Sequence, residues 1–244
     1  DISSNLIARM PRFADEEVPR ILFVAHGDVA RRGLIHTAVP RRFFQGAHRP
    51  LTVHPLRMLQ VMAWTMACAA ALRLFDKFLY ELDLILLVPL GFCLILLLLS
   101  LDWMRARPAA GANDNGSGLA VLAALAESFA DDPPRNAEVC FLVTGSREAD
   151  CGGIDGFIAT FGRRLTPEAT YVINLDDVGA GRVCFATGEY IPDLLPYDPL
   201  LPGIASLLTR QGPFRRIDAV QLIGLGDAGM ATRRGYRALT IKGL

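Results

Sequence analysis

Neither sign of charge dominates this chain, which carries 25 basic and 25 acidic residues among 244. So even a balance leaves no electrostatic footprint for nucleic acid, and none is expected as a partner. Paired cysteine spacing is missing as well. Cys68 and Cys93 lie in apolar runs, Cys140 and Cys184 in expected strands and Cys151 in a loop, with no CxxC among them. They read mostly as buried thiols, which leans towards a reducing compartment. An initiating Met is also lacking. The chain opens on Asp1-Ile2-Ser3-Ser4 and stops on an expected strand, Ala238 to Ile241, so a fragment at both ends is expected. What is present is length enough to bury a full core as one domain.

The chain is organised around Gly111-Ala112-Asn113-Asp114-Asn115-Gly116-Ser117-Gly118, a glycine-rich turn that holds one acid and runs into the apolar segment Leu119 to Ala130. A carboxylate fixed at the entrance to a buried helix is costly without a partner. Candidate partners share one pattern. Ile21 to Ala25 is an apolar run ending in His26-Gly27-Asp28, Val139 to Thr144 ends in Gly145-Ser146-Arg147-Glu148, and Tyr171 to Leu175 ends in Asp176-Asp177. Short apolar runs separated by helix-like segments predict buried parallel strands. Ligand groups in open α/β sheets gather at the carboxyl ends of such strands, which would bring His26, Asp114, Glu148 and Asp176 to one edge.

One imidazole and three carboxylates in a common pocket need cations, and nitrogen plus oxygen ligands suit zinc. A carboxylate shared between two ions would give a co-catalytic pair. HisGlyAsp after a strand, GlyAlaAsnAspAsnGlySerGly, ThrGlySerArgGlu and IleAsnLeuAspAspValGly, in that order, resemble family 28 of the metallopeptidases. These are the di-zinc aminopeptidases, with glutamate carboxypeptidase II, the glutaminyl cyclases and the non-catalytic transferrin receptor among their relatives. The resemblance covers about residues 6 to 30 and 108 to 244. It implies a mixed, mostly parallel sheet between helices, a zinc-peptidase-like three-layer α/β sandwich. Two zinc ions are implied, bridged by Asp114, with His26 and Asp176 completing one site. Glu148 and a histidine expected beyond Leu244 would complete the other. Asp28 would orient His26, and the substrate would be a peptide with a free N-terminus.

Three positions depart from that family. Arg147 stands where the family has the glutamate that serves as general base, and an arginine cannot accept a proton. Either the register slips, making Glu148 the base and Asp150 the ligand, or another acid such as Asp155 reaches the water. Asp177 stands where an apolar residue is usual. Adjacent strand residues point to opposite sides, so only one of Asp176 and Asp177 is expected to face the metals. Ala228 stands in the histidine place of a SerAspHis-like turn, Gly226-Asp227-Ala228.

Residues 31 to 57 are rich in arginine and carry His36, His48 and His54 without metal-ligand spacing. Met58 to Phe75 and Leu82 to Leu101 are almost wholly apolar. Separated by Asp76 to Glu81, they predict an inserted transmembrane helical hairpin in contact with the lipid bilayer. The domains expected are thus 1–57, the N-terminal part of the peptidase domain; 58–107, the hairpin; and 108–244, the remainder. A hairpin returns the chain to the side it left, so His26 and Asp114 can still share a site. Arginines flank the outer ends, including Arg105 and Arg107, and the positive-inside rule then sets a multi-pass membrane protein with its catalytic domain facing the cytoplasm. The function expected is a membrane-anchored zinc exopeptidase of aminopeptidase type. The alternatives are a catalytically impaired pseudo-peptidase used for binding and a single-zinc acyl transferase similar to glutaminyl cyclase.

Overall fold

A computed structural model describes residues 4–9, 18–31, 33, 63–64, 66–68, 80–190, 193–210 and 217–244. The chain divides into two compact units, Asp1–Ala30 with Ala110–Leu244, and Arg31–Ala109.

The first unit is built on one sheet. Its strands are β1 (Leu6–Arg9), β2 (Arg20–His26), β3 (Glu138–Thr144), β4 (Thr170–Asp176), β5 (Val183–Tyr190), β6 (Leu194–Pro196), β7 (Asp218–Ile223) and β8 (Arg237–Gly243). Their order is β1-β3-β2-β4-β8-β5-β6, with β7 paired to β5. The four central strands β3, β2, β4 and β8 are mutually parallel, whereas β1 and β8 run antiparallel to β3 and β5. The parallel central strands are what the apolar runs predicted, and the mixed sheet is what the family resemblance implied. Central strands buried on both faces read as continuous β-branched and aliphatic sequence.

Alternation then sorts the side chains of those strands. Leu22, Val24, Cys140, Leu142, Val172 and Ala238 pack on one face against Ile154, Phe157, Ala228 and Ala231. The last four come from α3 (Gly152–Phe161) and α5 (Asp227–Arg233), with α4 (Leu200–Leu208) between them in the chain. On the other face Ala25, Val139, Phe141 and Leu175 meet Leu122 of α2 (Gly118–Asp131). There Phe23 stacks on Phe141 with ring centroids 5.7 Å apart, and Phe129 leans on both. Alanine and leucine favour the helical state in α2, and Pro133 and Pro134 follow its end. The sheet therefore lies between helices, as the family resemblance implied.

The second unit contains α1 (Tyr80–Arg105). Its chain ends come together: Arg31 and Pro108 form an isolated antiparallel bridge, and the Arg31 guanidinium donates to the Met104 carbonyl at 2.8 Å. Along α1, Leu87, Leu90, Leu94, Ile95, Leu97 and Leu98 are each more than half exposed. Residues 63–64 and 66–68 are helical, while the rest of the expected first hairpin arm and its tip lie outside the described residues. Among the described residues no helix is long and apolar enough to cross a membrane, so the transmembrane hairpin expected over 58–107 is not supported by the fold. The isolated histidines His36, His48 and His54 also lie outside the described residues.

Candidate metal centre

On the α3/α5 side, the strand face changes character along its length. Apolar residues fill the middle, Asn174 and Thr240 follow as buried polar residues level with Leu142 and Val24, and beyond them come Thr144, His26, Asp176 and Lys242 at the carboxyl ends. Parity alone produces this series, since 22, 24 and 26, or 238, 240 and 242, share one side of a strand. Asp114 arrives from the glycine-rich turn. Gly111 takes a left-handed φ of 68°, its carbonyl accepts from the Gly116 N–H at 2.7 Å, and Asp114 and Asn115 leave helical geometry. Asn115 is buried and ties the turn to β4, donating to the Leu175 carbonyl at 2.8 Å and accepting from the Asp177 N–H at 3.2 Å.

Three atoms converge. His26 Nε2 lies 3.2 Å from Asp114 Oδ1 and 3.4 Å from Asp176 Oδ1, and the His26 side chain is only 1% exposed. None of the three atoms has a hydrogen-bond partner. Buried polar atoms without partners are rare and costly, and one imidazole proton cannot serve two carboxylates. A divalent cation can, and nitrogen with two carboxylate oxygens is a zinc donor set. At the far side of the ring, Nδ1 lies 3.0 Å from the Asp28 carbonyl oxygen and 3.4 Å from Asp28 Oδ1. Donation from Nδ1 leaves Nε2 free to bind a metal. Asp28 also accepts the Glu148 N–H at 2.9 Å, so it positions two members of the site at once.

Electrostatics agree with this geometry. Burial works against a charged imidazole, but the Asp114 and Asp176 carboxylates outweigh it and hold the His26 pKa at about 10. His26 in turn holds Asp114 below its ordinary value. Burial would raise Asp176, yet His26, Lys242 and Arg147 hold it well below the carboxylate range. Without metal, His26 is thus an imidazolium whose proton stands in for the cation.

Glu148 joins this group: it, His26 and Asp114 each offer a ligand atom within 4.8 Å of the others. Asp150 is exposed, and Asp155 pairs with Arg234 at 2.6 Å, so neither alternative acid is brought to the centre. Arg147 is. Its guanidinium donates to Glu148 Oε1 at 2.7 Å and lies 3.6 Å from Asp176 Oδ2. The donor types of His26, Asp114 and Asp176 suit a zinc ion, whereas at Glu148 a guanidinium already holds the carboxylate. At an effective dielectric of 20, two unit charges ~4 Å apart repel by roughly 4 kcal/mol, and a dication doubles that.

Two residues change the picture drawn from the motifs. Asp177 was expected to face away from Asp176, but it lies in the same cluster, within 4.8 Å of Asp114 and Asp176. Strand β4 ends at Asp176, and Asp177 takes a left-handed φ of 53°, which breaks the alternation. Lys242, which no motif singled out, donates from Nζ to Asp176 Oδ2 and to Asp177 Oδ2, both at 2.7 Å. Its parity with Ala238 and Thr240 was the available signal.

Beneath the centre lies a second set of buried acids. Asp227 accepts from Thr144 Oγ1 at 2.6 Å, and Glu189 accepts from Tyr197 Oη at 2.6 Å and from the Gly226 N–H at 2.8 Å. Burial pushes both carboxyls up, towards the neutral form. A Cβ at Gly229 would collide with the Glu189 carboxylate, so the approach of α5 needs glycine there.

The model of peptidase family M28 matches residues 98–195. The fold is similar to that of a Zn-dependent exopeptidase from Parabacteroides distasonis, at 16% identity and a TM-score of 0.54 over 99% of this chain and 64% of that one. BSAP, a zinc aminopeptidase from Bacillus subtilis, gives 16% identity and 0.52 over 98% and 39%. A glutaminyl cyclase from an Acidobacteriales bacterium gives 14% and 0.54 over 98% and 58%. At these identities the likeness is one of fold, and the chain spans only 39 to 64% of the length of these structures. No curated protein matches. The match over 98–195 and the mixed sheet agree with the resemblance read from the four motifs, and over those residues this chain is similar to the M28 peptidases.

Proposed function

We propose that the chain is the catalytic part of a zinc-dependent exopeptidase of aminopeptidase type. The observation that carries this reading is the unpartnered trio of His26 Nε2, Asp114 Oδ1 and Asp176 Oδ1 at the carboxyl edge of the sheet. Zinc held there would polarise the scissile carbonyl and lower the pKa of water, so that water attacks at neutral pH. His26, Asp114 and Asp176 bind the ion. Asp28 orients His26 through Nδ1 and fixes the backbone of Glu148. Glu148, beside Asp114 and His26, is the carboxylate positioned to take the proton of the attacking water and return it to the leaving amine. Arg147 holds Glu148 in place rather than acting on the proton itself. The free N-terminus of the peptide is the group that the half-buried Asp114 carboxylate at this edge would attract.

Hydrolysis of an aminoacyl p-nitroanilide tests the reading. Activity should vanish on chelation, return with zinc and be absent from His26→Ala. A protein that binds zinc at this trio but hydrolyses no N-terminal or N-blocked substrate supports the second reading, a pseudo-peptidase used for binding, which Arg147 in the general-base place favours. Release of ammonia from an N-terminal glutamine would instead support acyl transfer of the glutaminyl cyclase kind.

The reading includes attachment to a lipid bilayer. Its support is the sequence run Leu82 to Leu101 and the exposed leucines of α1. Retention in carbonate-washed membranes is the expected result, and recovery in the soluble fraction would remove this part. The flanking arginines favour a cytoplasmic catalytic unit, which protease protection in sealed vesicles would test.

A further inference from the structure

We propose that this centre takes a single divalent metal ion, and that the guanidinium of Arg147 is the second cation of the cluster. The inference rests on the metal-centre reading above and departs from the ion pair implied by the family resemblance.

Partners of individual oxygens carry it. Asp176 presents its two oxygens to different charges. Oδ1 faces His26 Nε2 and has no hydrogen-bond partner, whereas Oδ2 is taken by Lys242 at 2.7 Å and faces Arg147 at 3.6 Å. Glu148 Oε1 is taken by Arg147 at 2.7 Å, and Asp177 Oδ2 by Lys242 at 2.7 Å. At the meeting of His26, Asp114 and Asp176, the buried unpartnered atoms are Nε2, Oδ1 and Oδ1, which together make one three-atom donor set. Two groups of candidate ligands share Asp114, namely His26 with Glu148 and Asp176 with Asp177, and each already carries a fixed positive charge: Arg147 on Glu148, and Lys242 on Asp176 Oδ2 and Asp177 Oδ2.

The guanidinium is well suited to this place. It is always charged, planar and able to donate in several directions from one position. The Arg147 side chain is 23% exposed, so its field is only partly screened by solvent. Lys242 supplies the other permanent charge, from a side chain 15% exposed. Between them, these two cations neutralise the outward-facing acids with charges that chelation cannot remove.

The closing experiment is metal counting on the full-length protein in mild detergent, equilibrated with excess zinc and freed of unbound metal. About one zinc per chain is expected, against two for a co-catalytic pair. Arg147→Glu, which reverses the charge, should raise the count to about two, and Arg147→Gln serves as the milder variant should the first not fold. Cobalt-loaded wild-type protein should give the spectrum of an isolated ion, without the exchange coupling of a bridged pair. Two zinc ions in the wild type, or a coupled cobalt spectrum, would overturn the single-ion centre while leaving the zinc-site reading intact. No zinc in the wild type would overturn both. A folded Arg147→Glu protein that stays at one zinc would overturn the role given to Arg147.

Discussion

The two faces of the sheet are made from the same seven-residue central strands, yet they differ in what they can tolerate. Against α2, the strands present Phe23, Ala25, Phe141 and Leu175, and apolar packing continues to the carboxyl ends. Against α3 and α5, β2 and β3 stay apolar until His26 and Thr144, whereas β4 and β8 turn polar one step earlier, at Asn174 and Thr240, before reaching Asp176 and Lys242. One face supplies burial and asks little of geometry beyond shape. The other uses burial to strengthen charge interactions, and each of its polar groups needs a particular partner.

The largest effect should come from the charged face. Asp114→Asn is expected to lose most of the bound metal and all hydrolysis, read by metal analysis and a chromogenic peptide assay; unchanged metal content would remove Asp114 from the ligand set. On the packing face, Phe141→Ala should cost about 3–5 kcal/mol of stability in denaturant titration while folded protein keeps its zinc. Loss of zinc at full stability would break the separation between the faces.

Acidity sharpens the comparison further. His26 carries a folded-state pKa of about 10 against an ordinary 6.5, so its pairing with Asp114 and Asp176 stabilises the metal-free protein fully below pH 6.5. That contribution is lost as pH rises through about 10. Zinc must displace the same proton, so its affinity should fall by roughly tenfold for each pH unit below 10, or about a hundredfold from pH 9 to pH 7. Calorimetry in buffers of different ionisation enthalpy would detect the released proton. A pH-independent affinity would mean that His26 is already neutral. The smallest effect belongs to the deeper acids. Asp227→Asn should change stability by less than about 1 kcal/mol, because burial already keeps that carboxyl towards its neutral form and an amide oxygen can accept from Thr144. A large loss would show that Asp227 is ionised and paired.

Much of this contrast was legible beforehand. Apolar runs broken by His26, Glu148 and Asp176 predicted both the parallel strands and the edge at which their polar ends meet, since periodicity and strand ends are local properties. Asp114 was legible as a group in need of a partner, because a carboxylate at the entrance to a buried helix is costly alone. Asp177 was misread because alternation holds only within a strand, and its left-handed φ lies one residue beyond β4. Lys242 went unnoticed because a lone lysine forms no motif, although it follows Ala238 and Thr240 at strand spacing. The place of β8 between β4 and β5 could not be read at all, because pairing across the sheet depends on contacts far apart in sequence.

The bridge between Arg31 and Pro108 has a consequence for how the chain tolerates change. It brings the two ends of residues 31–109 together, so the path from His26 to Asp114 is closed by a neck whatever lies beyond it. Closing a loop costs free energy that grows only with the logarithm of its length, about 0.6 kcal/mol for each doubling. A segment joined in this way can lengthen, shorten or change in composition at little cost to the ligands on either side of it.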